Sequence, residues 1–570
     1  MTDTAAEKGQ AFEGVTDKSK QDPPAIDLDA ILTDEVGQFG RYQLVTLALA
    51  ALPVIFSAFA SGEYIFTTAR IPTRCRITQC DGPASAAPHP EFRPEWVLNA
   101  INGTSRDSFE ACSRFPDRLP QLPSNASCPA DWFDRARVED CDGYVYENTL
   151  SVVYDFDMAC DEWRRSQIGS IRTIGTLLVL PITGYISDRW GRRVALTINA
   201  FNTGWIGLVR SFVNSYEWFL ALEVIESTVG AGAFSSCHIL VTELVGPKYR
   251  VKAGATISTM FAVGQVILGF IAWGVQSWRP LTQVLYIPQL FVVSYFWILS
   301  ESVRWLMSKG RYEESEAILK KVAKANKKKL SDKSLELLRA TAEAEKLRAT
   351  AEAEKYIEKP KEPWLPILVF RSRAILLRCC VAPIWWITNT LVYYGMNINA
   401  VNLSGNRYLN YVYVAAIEIP GFWTAIMLLD RIGRKPVLIT AYWLCSICQF
   451  VFAFMPDGHA GLSMAVYLVG KYSIAVVMTS VYVYTAELFP TKYRHSLVAF
   501  ASMVGRLGSI TAPLTPALGT EVWEPLPQIL FGGFALLSGI LIFTTPETLN
   551  TKLPNTMEEA ESLGKRQLNK

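Results

Sequence analysis

Gly184-Tyr-Ile-Ser-Asp188-Arg189-Trp-Gly191-Arg192-Arg193 closes an apolar run of about twenty residues, enough to cross the ~30 Å hydrocarbon core of a bilayer. A shorter version, Asp430-Arg431-Ile-Gly433-Arg434-Lys435, follows another apolar run 242 residues later. A second pair repeats at an offset of 244 residues: Thr242-Glu243-Leu244-Val245-Gly246-Pro247-Lys248-Tyr249-Arg250 against Ala486-Glu487-Leu488-Phe489-Pro490-Thr491-Lys492-Tyr493-Arg494. Two offsets that agree mark an internal duplication, each half a set of hydrophobic spans punctuated by the same charged turns.

The rest of the chain fits that reading. It has 570 residues, 50% hydrophobic and 12% aromatic, with its 19% of charged residues gathered in blocks. Uncharged windows long enough to span occur at 43–62, 253–274, 281–300, 379–396, 436–456 and 525–545. Windows at 166–187, 218–242, 408–429, 462–485 and 496–520 carry one or a few ionisable residues, and 194–209 is uncharged but short. The expected fold is an all-α membrane protein of twelve transmembrane helices in two pseudo-symmetric bundles of six. The net charge of +2 points to no partner class. The first forty residues, polar and of mixed charge, do not read as a cleaved signal.

Six of the eleven cysteines, Cys75, Cys80, Cys112, Cys128, Cys141 and Cys160, fall between the first two spans, together with the sequons at Asn102 and Asn125. That pattern predicts a disulfide-stapled, glycosylated domain in an oxidising compartment, with fifteen possible pairings. A third sequon, at Asn402, lies in a loop so short that modification is not expected. The organisation read from these features is a polar cytosolic tail (1–40), a first span (41–68), the extracellular cysteine-rich domain (69–162), spans two to six (163–306), a charged cytosolic loop (307–372), spans seven to twelve (373–548) and a cytosolic tail (549–570). Basic residues concentrate in the short loops after spans two, four, eight and ten, which places those loops and both termini in the cytosol. The charged loop contains a tandem of nine residues, Leu338–Lys346 and Leu347–Lys355, helical by propensity but without a wide apolar seam.

The punctuation motif has its own chemistry. Asp188 offers a carboxylate, Gly191 permits a tight turn, and Arg189, Arg192 and Arg193 can reach a neighbouring carboxylate such as Glu243. Asp430, Arg431, Gly433, Arg434 and Glu487 repeat the set. Such a network is expected to act as a latch between helices, made in one conformation and broken in another. Gly184 is expected at a close helix contact that Ile426 loosens in the second half.

This double motif, with Ser300-Glu301-Ser-Val-Arg304-Trp305-Leu306 and Thr545-Pro546-Glu547-Thr548, resembles the major facilitator superfamily. The six-cysteine domain, Glu418-Ile-Pro420-Gly421 and Ala486-Glu487-Leu488-Phe489-Pro490-Thr491 are similar to the organic cation, organic anion and carnitine carriers. The resemblance covers about residues 40–564. It implies alternating access around a central cavity in the plasma membrane, no catalytic chemistry, no cofactor or metal, and small organic ions as partners. Trp386 and Tyr393 match the family's aromatic substrate-lining positions. Arg506 stands where the cation carriers have an aspartate, as in the anion and carnitine carriers.

Ionisable groups inside spans cost about 2.5–3.5 kcal/mol each on insertion scales and face a cavity or a partner. They are Arg172, Glu223, Glu226, Glu418, Lys471 and Arg506, with Glu63 near the outer end of the first span. Internal pairing is one reading: Arg172 with Glu223 or Glu226, and Glu418 with Lys471 or Arg506. Substrate contact is the other, with Arg506, flanked by the small residues Gly505, Gly508 and Ser509, docking a carboxylate. Trp386, Tyr393 and Tyr394 would then offer aromatic faces to an ammonium group, with Glu418, Lys471, Thr479, Glu223 and Glu226 beside them. His238 reads as packed rather than proton-carrying. The expected substrate is a carnitine- or betaine-like zwitterion or an organic anion; an organic cation is the alternative, and a non-transporting sensor signalling through the tandem repeat is the reading from another class. There is no P-loop and no metal-spaced His/Cys cluster, so an enzyme is not expected.

Overall fold

The computed structural model describes residues 28–82, 89–118, 128–341, 365–456, 458–551, 554 and 556–563. Asn125, residues 1–27 of the N-terminal tail and most of the tandem repeat lie outside them. Twelve principal helices follow the expected order: α1 (Arg41–Thr67), α2 (Glu162–Trp190), α3 (Arg192–Arg210), α4 (Tyr216–Leu244), α5 (Pro247–Gly274), α6 (Trp278–Ile298), α7 (Arg373–Asn402), α8 (Arg407–Ile432), α9 (Arg434–Ala453), α10 (Ala460–Leu488), α11 (Arg494–Glu521) and α12 (Leu526–Ile542). Ten are long and apolar enough to cross a membrane. The other two fall short for local reasons: α3 starts on Arg192-Arg193 and ends on Arg210, and α12 has 17 residues.

Prolines at positions 53, 181 and 383 lie inside α1, α2 and α7, which packed bundles tolerate because neighbouring helices and side chains re-satisfy the freed carbonyls. In α8 Pro420 lacks the N–H that would bond Ala416, and the helix breaks at Ile417 and restarts at Glu418. One continuous apolar core runs through both halves, and α7 is the most enclosed of the ten helices.

The two halves, α1–α6 and α7–α12, meet toward the end that carries the cysteine-rich domain. Phe66 of α1 stacks on Tyr408 and meets Tyr411 edge-on, with centroids at 5.7 and 4.9 Å. Gly169 of α2 packs on Pro513 of α11, and Gly269 of α5 on Val412 of α8. At the opposite end, among the described residues, no ion pair joins the halves.

The segment between α1 and α2 departs from the all-α expectation. It holds three two-stranded antiparallel ladders: β1 (Thr73–Cys75) pairs with β6 (Tyr144–Tyr146), β2 (Gly103–Ser105) with β3 (Ser108–Phe109), and β4 (Ser113–Arg114) with β5 (Glu139–Asp140). Its small core comprises Ile77, Trp96, Val97, Phe115 and Phe133, with Cys75 and Cys128 buried among them. So few apolar residues cannot hold a domain of this size, and three disulfides do so: Cys75–Cys141, Cys80–Cys128 and Cys112–Cys160. The exposed Asn102 donates its amide to Glu110 at 2.9 Å.

Residues 28–40, read from the sequence as part of a polar tail, fold against the charged loop, with helix over 28–36. Leu28 and Leu32, one turn apart, bury against Tyr312, Leu319 and Leu338 of the charged loop. Asp29 pairs with Arg250 at 2.5 Å and also with Arg304, and Asn326 accepts the Tyr42 N–H at 3.0 Å.

Each disulfide closes a loop of 48 or 66 residues, worth about 4 kcal/mol by chain entropy. Mapping under non-reducing conditions should return these three pairs, and Cys80→Ser should sharply lower the amount of mature protein at the cell surface. Unchanged surface abundance would show that the domain does not depend on its cross-links.

Candidate functional site

Three constellations of charge organise the molecule. The first is the punctuation motif in three dimensions. Gly191 ends α2 with φ +109°, a conformation that L side chains rarely adopt. The carboxylate of Glu301 fills the space beside it and caps the N-terminus of α3, accepting the N–H groups of Arg192 at 2.9 Å and Arg193 at 3.2 Å. Burial holds the Glu301 carboxyl above its ordinary value, a rise that the N–H groups of Ser302, Arg193 and Arg192 offset only in part. The side chain of Arg192 bridges Asp188 at 2.9 Å and Glu243 at 3.3 Å. In the second half Gly433 has φ +112°, Glu547 accepts from the N–H groups of Arg434 at 3.0 Å and Lys435 at 2.9 Å, and Arg434 bridges Asp430 and Glu487 at 3.1 Å each.

The duplicate thus extends to the acids that seat the helix N-termini. Glu301 and Glu547 were absent from the expected latch, although the repeated Glu-(Ser/Thr) step after α6 and α12 carried their signal. Arg193 reaches the Leu299 carbonyl at 3.3 Å. Arg189 lies over Tyr185 and Trp190 instead of joining the network, and Arg431 is exposed outside it. A side chain at Gly184 would meet nothing within 4 Å, so the expected close contact there is not made. Each network joins helices within one half.

The second constellation lies inside α1–α6. Arg172 of α2 pairs with Glu223, with Glu226 at 3.1 Å and with the Ala60 carbonyl at 2.6 Å. Arg210 of α3 pairs with Glu63 at 2.7 Å, Glu223 at 2.5 Å and Glu226 at 2.7 Å. Tyr286 of α6 accepts from Arg210 at 3.2 Å and donates to Glu226 at 3.0 Å. All six side chains are buried. The spacing of three between Glu223 and Glu226 puts both on one helix face, so both meet the same two arginines. Sequence reasoning missed Arg210, the last residue of its helix, because the window at 194–209 ends one residue short of it.

The third lies inside α7–α12. Glu418, at the restart of the broken α8, pairs with Lys471 of α10 at 2.9 Å, accepts the Tyr393 hydroxyl at 2.6 Å and accepts the Asn397 amide at 3.3 Å. Lys471 also donates to the Tyr393 carbonyl at 2.9 Å. Glu418 and Lys471 are fully buried. Arg378, at the loop end of α7, donates to the carbonyls of Leu488 at 3.2 Å and Ala560 at 2.7 Å.

Arg506 of α11 differs from all of these. It is half-buried, and among the described residues its guanidinium meets no carboxylate or carbonyl within bonding distance. Its charge acts on Tyr482 of α10, which is 45% exposed and stands edge-on to Trp386 with centroids at 4.4 Å. Tyr394, half-buried, stands edge-on to Tyr393, and the half-buried Thr479 lies one turn from Tyr482 along α10.

The geometry divides the expected ligand contacts into those engaged by protein partners and those left accessible. Glu223, Glu226, Glu418 and Lys471 have their polar atoms taken by protein partners. Trp386 is 2% exposed and donates to Thr485 at 3.1 Å, and Tyr393 is spent on Glu418. Gly505 and Gly508 do not make room for a ligand; they let α11 approach α7, where added side chains would collide with Trp386 and the Ile387 carbonyl. Arg506, Tyr394, Thr479 and Tyr482 remain accessible.

Two six-helix halves that repeat the same charged turns and helix-seating acids are the architecture of a membrane carrier, and the comparisons with known proteins agree. The family profile described as "Sugar (and other) transporter" matches residues 138–559. An organic cation transporter protein of Drosophila melanogaster is 30% identical over 94% of this chain and 95% of its own length. Solute carrier family 22 member 16 of Xenopus laevis is 33% identical over 82% and 79%, and member 3 of that family in Mus musculus is 28% identical over 94% and 96%. The inward open xylose transporter XylE of E. coli shares the fold, with a TM-score of 0.58 at 16% identity over 92% of this chain and 100% of its own. The chain belongs to the organic ion transporter branch of the major facilitator superfamily, as a multi-pass membrane protein that moves organic ions.

Gly191→Ala forces a side chain into the Glu301 carboxylate, 2.2 Å away, at a positive φ; the same change at Gly433 meets Glu547 at 2.8 Å. Each should cost about 1–3 kcal/mol, with the first the larger. Thermal unfolding of the detergent-solubilised variants measures this, and equal or negligible shifts would sink the assignment of the two acids as helix seats.

Proposed function

We propose that the protein is a plasma-membrane carrier, working by alternating access, whose substrate is a zwitterion of the carnitine or betaine type or an organic anion. The observation that carries this reading is Arg506, half-buried and without a counter-ion among the described residues, close enough to the exposed Tyr482 for its charge to act there. A guanidinium in such a place docks a carboxylate through two parallel hydrogen bonds. Aromatic rings serve an ammonium head or a flat anion. Glu418 is paired with Lys471, and Glu223 and Glu226 are each held by two arginines, so none of these three acids is open to a bare cation.

The orientation belongs to the same reading. The disulfide domain with its exposed sequon faces outside, and the arginine-rich turns, both termini and the charged loop face the cytosol. Contacts between the halves toward the outer end correspond to a state closed to the outside. The Arg192 and Arg434 networks, each confined to one half, then hold each bundle rigid while the halves rock, and their loosening in another state is the latch. An organic cation is the second reading, favoured by the name of the Drosophila relative.

Uptake of labelled carnitine, a dicarboxylate and the permanent cation tetraethylammonium into cells expressing the protein tests this. Carnitine or the dicarboxylate should enter saturably, and Arg506→Asp should reduce that uptake more than about tenfold, the ~1.5–3 kcal/mol of hydrogen bonds to a charged group. Entry of tetraethylammonium alone, undiminished by Arg506→Asp, would replace the zwitterion reading with the cation one.

A further inference from the structure

We propose that Glu63 of α1 is a proton-binding site, and that its protonation links the transport cycle to pH. The inference rests on the reading of the chain as an organic ion carrier, but not on which ion it carries.

Two independent observations carry it. The first is charge. The buried cluster of α1–α4 and α6 sets the three carboxylates of Glu63, Glu223 and Glu226 against the two guanidinium groups of Arg172 and Arg210, with none of these side chains more than 9% exposed. With all three acids ionised, one negative charge would stand uncompensated inside the membrane, which desolvation strongly disfavours. The second is the inventory of hydrogens. Thr282 Oγ1 lies 2.8 Å from the Trp278 carbonyl and 2.7 Å from Glu63 Oε1. A hydroxyl has one hydrogen. When Thr282 gives it to Trp278, as a helical threonine one turn on does, the contact with Glu63 is a hydrogen bond only if the carboxyl is the donor, and so carries the proton.

The proton falls on Glu63 rather than on its neighbours. Glu223 and Glu226 each touch both guanidinium groups, and Glu226 also receives the Tyr286 hydroxyl. Glu63 touches Arg210 alone. A bound metal ion does not fit, because the arginines interpose among the carboxylates, and no described grouping of acidic, histidine or cysteine side chains has the geometry to hold one. The step is protonation of a carboxylate to the carboxylic acid, with water as the proton source.

The position gives the proton leverage. The preceding residue, Gly62, packs against Tyr411 of the opposite half, where a side chain would come within 2.5 Å of the hydroxyl, and that buried hydroxyl has no hydrogen-bond partner among the described residues. The groups that face Glu63 itself are Arg210 on α3, Glu223 and Glu226 on α4, Arg172 on α2, and Tyr286 and Thr282 on α6, while Tyr411 of α8 meets the neighbouring Gly62 across the seam. Loss of the proton leaves a charge next to the contact that closes the outer end, so the closed state is favoured when Glu63 is protonated and disfavoured as pH rises.

The test is initial uptake of carnitine and, in a parallel arm, of tetraethylammonium. Neither probe titrates across about pH 5 to 9, the range in which a buried carboxyl does. Surface abundance of each variant is measured alongside. Wild type should show a pH-dependent rate, at most about tenfold per pH unit for one linked proton. Glu63→Gln, fixed in the neutral form, should transport with a flat profile. Glu63→Asp should keep the slope, and Thr282→Val, which removes the acceptor of the acid hydrogen, should move the midpoint to lower pH. A slope retained in Glu63→Gln, or a flat wild-type profile with a requirement for external sodium, overturns the proposal. Transport of tetraethylammonium alone refutes the zwitterion reading while still reporting on Glu63.

Discussion

A charge buried between helices in a bilayer must find its counter-charge within the protein, and that constraint shapes the interior of this molecule. Removing one partner of a buried pair costs about 3–5 kcal/mol, so each arginine or lysine held in a carboxylate cluster fixes the relative positions of the helices it joins. Arg172 and Arg210 tie α1, α2, α3, α4 and α6 into one body. Lys471 and Glu418 tie α8 and α10, and Tyr393 brings in α7. The halves can then move as units because their internal ionic bonds are far stronger than the ring contacts and sparse hydrogen bonds between them.

The two halves share a loop chemistry but divide the interior differently. The Gly-Arg turn, the bridging acid and the acid that seats the following helix recur in both. Deeper in, the first half spends every charge on itself, whereas the second pairs Glu418 with Lys471 and leaves Arg506 unspent. Duplication supplied a common frame, and divergence of a few buried residues left the second half with an interior arginine that no described carboxylate meets.

Much of this was legible before any coordinates. The fold followed from the repeated turn and the hydrophobic windows, and the six cysteines announced their domain, because spans and disulfides are local or compositional signals. Internal pairing of Arg172 with Glu223 or Glu226 was one of two readings that the sequence allowed, and the shared helix face of the two acids brings both onto it. What escaped depends on tertiary geometry. Arg210 sits at a helix end, where a basic residue ordinarily reads as an anchor at the membrane surface, and only the fold brings it onto three acids. Gly505 and Gly508 looked like space for a ligand but are the means by which α11 approaches α7. The ordered strap at 28–36 was hidden because two leucines one turn apart mean little without the helix they pack on.

The cysteine-rich domain is fastened to the first half at several points. Ser151 donates to the Thr67 carbonyl at the end of α1, Trp278 and Arg279 of α6 grip Asp155, and the Cys112–Cys160 bridge ends two residues before α2 begins. A body clamped at three helices of one half is carried by that half, so under the proposed rocking cycle it would sweep like an outrigger on a hull. In that proposed cycle, anything that loads the outrigger would resist the roll of the whole first half, and the rate would become sensitive to mechanical drag applied well outside the permeation path.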